Sequence, residues 1–291
     1  MRLDSGASMR SFLPVFLWIL ISVNRPGFAQ SVPAHAEGLF EELYSVALDG
    51  NRRQSGVFSI RIGTRDHSKM AVLLPGYPSV VRPVVSSGVM QSSRLTGNFL
   101  IRSRRHLADE SIALLLVDCH SDSGDYCSAH YQASADRQRD IQKLIDLIKQ
   151  KFTTIQEVWL VGTSMGTISS SYMPIHGGGA YTGAIHTASI TEPYADNSYR
   201  ELREFDYLKS GIPQFFVHHK ADPCGLTTYS GAKKISEKYS IPLVTVIGGS
   251  GFQGLPCMAM TEHGFKGMER ETMGAIGRII RTGSPGPLEV R

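Results

Sequence analysis

A chain of 291 residues with 42% hydrophobic and 19% charged residues holds ample apolar material for a core, which excludes an intrinsically disordered protein. The length allows two small domains, but an α/β domain of roughly 250 residues routinely stands alone. With 30 Lys and Arg against 26 Asp and Glu the net charge is +4, and removing residues 1–29 (Arg2, Arg10 and Arg25 against Asp4) leaves +4 − 2 = +2, so no nucleic-acid partner is expected.

The first predicted element is a targeting segment. Arg2 and Arg10 precede the apolar run FLPVFLWILISV at 12–23, which is followed by turn-forming residues and by Gly27-Phe28-Ala29. This is the layout of a secretory signal, with cleavage expected after Ala29. Ala34-His35-Ala36 also fits a small-x-small site but lies 13 residues past the apolar run. Twelve helical residues reach about 18 Å against a hydrocarbon core of roughly 30 Å, so no stable membrane span is expected once the signal is removed. The mature chain, 30–291, is expected to be a single domain that is secreted or periplasmic.

In an oxidising compartment Cys119, Cys127, Cys224 and Cys257 form an even set, and none belongs to a C-x-x-C pair that would suggest zinc or redox chemistry. Two disulfides are expected. Of the three possible pairings, Cys119–Cys127 with Cys224–Cys257 is preferred because the first closes a short local loop.

Further along, 57–62 alternates like a half-buried strand. The runs at 71–75, 112–118, 158–162, 183–190, 214–219 and 242–249 are short, apolar and ended by turn residues. Continuous apolar strands belong to a sheet covered on both faces. Between them, Ile141, Leu144, Ile145 and Ile148 follow helical spacing, and Phe265, Met268, Thr272, Ile276 and Ile279 form a second stripe. Strand–helix alternation predicts an α/β fold with a mostly parallel central sheet flanked by helices and a ligand site at the carboxyl ends of its strands.

Chemistry concentrates at those ends. Gly162-Thr163-Ser164-Met165-Gly166 follows the apolar run VWLV and leads into a small-residue stretch that continues as a helix, the strand–turn–helix setting that G-x-S-x-G requires. The sharp turn lifts the Ser164 hydroxyl above the sheet and aims the Met165 N–H at the place where an acyl oxyanion forms. A serine hydroxyl needs a base, and the base needs a group to orient it. Asp222, 58 residues on, ends the run QFFVHHKA, and His263, 41 residues later, lies in a glycine-rich loop past the last strand.

With GTSMG, HHKADPC and TEHGF in this order over 57–281, the chain resembles the α/β-hydrolase superfamily, in particular its compact bacterial esterases and dienelactone-hydrolase-like members. The resemblance implies that Ser164 is the nucleophile, His263 the general base and Asp222 the residue that orients it. It also places Leu74-Pro75-Gly76-Tyr77 in the family's oxyanion loop, so that the Tyr77 N–H becomes the second donor; Pro75 stands where many members carry His.

Other residues receive plainer expectations. His218 and His219 are successive on a strand and face apart, so no metal is expected, and no cofactor. Glu262 reads as a solvated loop carboxylate, Asp118 as a carboxylate on a strand that precedes the nucleophile, His186 as a hydrogen-bonded core histidine, and Arg102, Arg104 and Arg105 as the solvated face of a helix. Only about two dozen residues separate the strand at 183–190 from the next, too few for a lid domain. Tyr77, Met165, Tyr126 and Tyr194 are candidate pocket walls. The expected activity is that of a serine hydrolase taking small-molecule or acyl-ester substrates. A peptidase or amidase would use the same three residues, and a non-catalytic binding protein would lack one of them.

Overall fold

The computed structural model describes residues 32–193 and 199–291; the 1–29 segment and Tyr194 lie outside the described residues. In chain order the strands are β1 (Leu39–Ala47), β2 (Arg53–Arg61), β3 (Lys69–Leu74), β4 (Val84–Ser86), β5 (Val89–Ser92), β6 (Ile112–Val117), β7 (Glu157–Thr163), β8 (Gly183–Thr187), β9 (Gln214–His219), β10 (Leu243–Val246) and β11 (Glu289–Val290). The helices are α1 (Phe99–Ser103), α2 (Ala129–Gln132), α3 (Ala135–Lys151), α4 (Gly166–Gly177), α5 (Tyr229–Tyr239) and α6 (Glu269–Thr282).

Nine strands form one sheet in the order β1-β2-β6-β3-β7-β8-β9-β10-β11. The β1–β2 and β2–β6 pairs are antiparallel and every later pair is parallel. After β3 the chain crosses to one side to make β6 and then to the other to make β7. The carboxyl ends of β3 and β7, paired through Leu74 and Gly162, therefore flank the point where the winding reverses, the usual crevice of an open α/β sheet.

The central strands are apolar throughout because both faces are covered. Alternate residues divide between two cores. Ala71, Leu73, Leu114, Leu116, Trp159 and Val161 face α1 and α6, whereas Met70, Val72, Leu115, Val158 and Leu160 face Ile141, Leu144, Ile145 and Ile148 of α3. Ser134 caps α3 by accepting from the Arg137 N–H, with Asp136 in its first turn and Lys149 and Lys151 in its last, which suits the helix dipole. The stripe read from Phe265 onward begins too early: α6 starts at Glu269, and Phe265 is a left-handed residue (φ 57°) in the preceding turn. Phe265 and Met268 still enter the same core, so the burial pattern outruns the helix that should have carried it.

A second expectation fails at the arginines. Arg104 is completely buried, and its guanidinium grips Glu41 of β1 through Nε and Nη2, both at 2.8 Å. Burial alone would raise the Glu41 pKa, but Arg104, aided by Ser59 and the Met90 N–H, more than offsets this and holds it below the usual carboxylate range. Arg102 is also mostly enclosed, its side chain 13% exposed. An arginine with a designated acceptor is stable in a core, and those acceptors lie far away in sequence. Among the described residues no helix is long and apolar enough to cross a membrane.

Candidate active site

The G-x-S-x-G turn links β7 to α4. Ser164 takes a left-handed backbone (φ 51°), rare for a residue with a side chain, and its N–H is held by the Thr187 carbonyl of β8 at 3.0 Å. The flanking glycines are sterically required. A Cβ on Gly166 would fall on the Leu74 carbonyl oxygen, and one on Gly162 would collide with Ser170 Oγ and the Gly166 backbone. The loop after β3 also comes near, though less tightly: a Cβ on Gly76 would meet Ser164 Cβ at 3.0 Å and the Thr163 carbonyl at 3.2 Å. Tyr77, next in that loop, thus stands beside the serine with its ring 64% exposed. Met165 is buried at the start of the 12-residue helix α4, whose positive dipole end faces the serine.

Two strands away, the loop after β9 carries Asp222, and the loop after β10 carries His263 in a short 3-10 turn capped by Thr261. His263 Nδ1 lies 3.1 Å from Asp222 Oδ2 across 41 residues of sequence, with both side chains almost wholly buried. Because a carboxylate only accepts, the proton resides on Nδ1 and leaves Nε2 as the acceptor. The other carboxylate oxygen, Oδ1, accepts the Cys224 N–H at 2.9 Å. Among the described residues, no hydrogen bond joins Ser164 Oγ to the His263 ring; the two sides approach through α1.

Helix α1, expected from Arg102 as a solvated helix face, instead bridges the site. The side-chain nitrogen of its cap, Asn98, lies 3.6 Å from the position a Cβ on Gly76 would occupy. Phe99 packs on Phe265 with centroids 4.7 Å apart. Arg102 donates to the Gly97 carbonyl (2.7 Å), to Glu269 Oε1 (3.1 Å) and to the carbonyl of Gly264, adjacent to His263, at 2.6 Å. Disulfides join Cys119 to Cys127 and Cys224 to Cys257, and the second ties the Asp222 loop to the segment leading into His263.

The remaining candidates have separate occupations. Asp118 accepts from the backbone N–H groups of Val81 (2.6 Å), Arg82 (3.0 Å) and Cys119 (2.8 Å) and from the Arg82 guanidinium, which occupies it structurally. That guanidinium also reaches the carbonyls of Cys119, His120, Ser121 and Gly124 and Ser123 Oγ. It thereby organises the loop that brings Tyr126 against Tyr77, ring centroids 5.7 Å apart. His218 Nε2 accepts the Ser189 N–H at 2.7 Å, while His219 Nε2 meets the Gly248 carbonyl at 2.9 Å. His186 is buried between Ser170 and Gln214, both at 2.8 Å. Burial pushes the pKa values of His186 and His218 down to about 4, so both are neutral near pH 7. Two cavities, about 710 Å³ beside α3 and about 420 Å³ between the amino end of β9 and the chain's last turns, lie away from the strand ends that carry Ser164 and Asp222.

Sheet order, winding reversal and the strand–serine–helix turn define the α/β-hydrolase fold. In particular, the chain is similar to the esterase Est1E of Butyrivibrio proteoclasticus (12% identity, TM-score 0.56, covering 82% of this chain and 97% of that one). It is similar also to an α/β serine hydrolase without lid from Xanthomonas campestris (12%, 0.55, 84% and 97%) and to the esterase Est22 (11%, 0.56, 86% and 83%). At such identities the likeness establishes the shared fold. No protein-family model and no curated protein matches the sequence.

Proposed function

We propose that this chain is an exported serine hydrolase that cleaves carboxylic esters through an acyl-enzyme. The observation that carries the reading is the 3.1 Å His263–Asp222 hydrogen bond, formed at the same sheet edge as a serine in a left-handed turn. Ser164 Oγ attacks the ester carbonyl carbon as its proton passes to His263 Nε2, and Asp222 holds the resulting imidazolium at Nδ1. The Met165 and Tyr77 N–H groups stabilise the tetrahedral oxyanion. The intermediate collapses, the C–O bond breaks and the alcohol leaves with the proton from His263. Water then repeats the sequence on the acyl-enzyme, releasing the acid and restoring Ser164. Tyr77 and Tyr126 form one wall for the substrate, whose pocket is open to solvent on their exposed side. The two disulfides and the composition of 1–29 support export, with 30–291 as the mature catalytic domain.

A fluorophosphonate probe followed by peptide mapping tests this reading. The wild-type protein is expected to label at Ser164 and Ser164→Ala is not. Turnover of an ester chain-length series should exceed that of matched peptide anilides. A folded wild-type protein that leaves Ser164 unlabelled would overturn the proposal, and faster anilide than ester cleavage would reassign it to the amidases.

A further inference from the structure

Five residues past Asp222, Thr227 is fully buried, and its N–H bonds the Cys224 carbonyl at 3.1 Å, closing a turn behind the carboxylate. Its hydroxyl lies 2.8 Å from Asp222 Oδ2 and 3.0 Å from His263 Nδ1, the two atoms that are themselves 3.1 Å apart. The three form a closed triangle. A hydroxyl has one proton and two lone pairs, and the polarity of each edge follows from its neighbours. The carboxylate cannot donate, so Thr227 Oγ1 donates to Asp222. The imidazole nitrogen already carries its proton toward the carboxylate, so the Thr227 oxygen offers that same N–H a second acceptor.

We propose that Thr227 is a positioning residue for the general base, a fourth member of the acid–base relay that acts through Asp222 and His263 without touching substrate. This inference rests on the serine-hydrolase reading above. The geometry supplies what the disulfide and the Cys224 N–H leave unset. Oδ1 is fixed by the Cys224 N–H, but Oδ2, the oxygen that meets the ring, is fixed by Thr227. Two acceptors flanking Nδ1 at similar distances also define the ring's rotation, and so the direction in which Nε2 presents its lone pair. One acceptor would leave the ring free to tilt about a single bond. Burial sharpens the effect: both side chains of the pair are at most 6% exposed, so water does not replace a lost partner.

The test compares Thr227→Val, which keeps the shape and removes the hydroxyl, with Thr227→Ser, which keeps the hydroxyl. The two readouts are steady-state kinetics and the low-field proton resonance of His263 Nδ1, assigned by its loss in His263→Asn. Thr227→Val is expected to lower kcat about 10-fold with KM within about twofold, the cost of losing an outer hydrogen bond that orients a working imidazole. Its Nδ1 proton moves downfield, because it is no longer shared between two acceptors. Thr227→Ser restores both. A Thr227→Val protein with wild-type kcat overturns the proposal. So does reduced kcat with an unmoved proton, which would trace the loss to packing, and so does a Thr227→Ser protein as slow as Thr227→Val. Thr227→Ala serves with the same readouts if the valine variant does not fold. A wild-type protein that is not labelled at Ser164 removes the hydrolase reading itself and this inference with it; labelling of wild type and Thr227→Val at one rate, with the proton unmoved, removes this inference alone.

Discussion

The two halves of the candidate site are built by different means. On the serine side, geometry is local: five consecutive residues, a strand before them, a helix after them, and glycines placed where backbones from β3 and α4 leave no room for a Cβ. On the acid–base side almost nothing is local. Asp222 and His263 stand 41 residues apart on irregular loops and are brought together by a disulfide, by Arg102 reaching from α1, by the Phe99–Phe265 contact and by Thr227. A turn packed into a sheet resists change until the sheet itself yields, whereas a set of tethers can be loosened one at a time. Perturbing the serine side should therefore abolish chemistry in one step, and perturbing the other should degrade it by degrees.

The largest expected effect is that of Ser164→Ala, which should leave the fold intact and lower kcat by on the order of 10³-fold or more, because oxyanion stabilisation and binding alone retain only residual catalysis. Near-normal turnover by a folded, uncontaminated variant would erase the distinction between the halves. Next comes Arg102→Met. It removes the donor to the Gly264 carbonyl while retaining bulk, and we expect kcat to drop roughly 10-fold with a stability loss of about 1–3 kcal/mol from the acceptors left unpaired. Equal activity in kinetics at matched folded fraction would show that α1 does not hold the histidine loop.

A smaller and more graded effect should follow removal of the Cys224–Cys257 bond. Its 33-residue separation corresponds to roughly 3–4 kcal/mol of stabilisation in the loop-entropy model, against about 2.5 for the 8-residue Cys119–Cys127 loop. Ester turnover of the Cys224→Ala/Cys257→Ala protein should fall at temperatures where far-UV circular dichroism still reports an intact sheet. Unchanged activity and melting temperature would refute a role for this tether.

The mildest prediction concerns acid. His186 and His218 have folded pKa values near 4, below the ordinary 6.5, because burial disfavours the cation. The unfolded chain then binds more protons than the folded one between these values, so stability is complete above about 6.5 and declines as pH falls toward 4. The melting temperature should slope downward across that interval, and His186→Gln should flatten the slope. A level profile would indicate that these rings are not neutral in the fold.

How much was legible in sequence follows the same division. The runs at 71–75, 112–118, 158–162 and 214–219 correspond to β3, β6, β7 and β9, since strands buried on both faces are written as unbroken apolar segments. The strand read at 57–62 is the second half of β2, whose polar beginning, Arg53-Gln54-Ser55, concealed its start. β1 carries no strand signal of this kind. Its inward position 41 is a glutamate, and the arginine that makes this tolerable lies 63 residues away. The burial of Arg102 and Arg104 is hidden for the mirror-image reason, their carboxylate acceptors being distant and unmarked. The serine motif is contiguous, Asp222 closely follows an apolar run and His263 lies in the loop beyond the next one, so chain order could nominate them. Thr227 and Asn98 have no such signature: their relevance exists only in three dimensions.

The Arg82 guanidinium has a consequence for the wall of the site. The segment from Asp118 to Asp125 is dense in carboxylates and inward-turned carbonyls, the sort of oxygen-rich coil that many proteins stabilise with calcium. Here the centre is filled by a charge that belongs to the polypeptide. A resident ion can be stripped by a chelator or diluted away in a mineral-poor medium; a side chain cannot. Tyr126 and the face it shares with Tyr77 thus owe their order to a counter-ion that is inherited with the gene product and needs no supply from the surroundings.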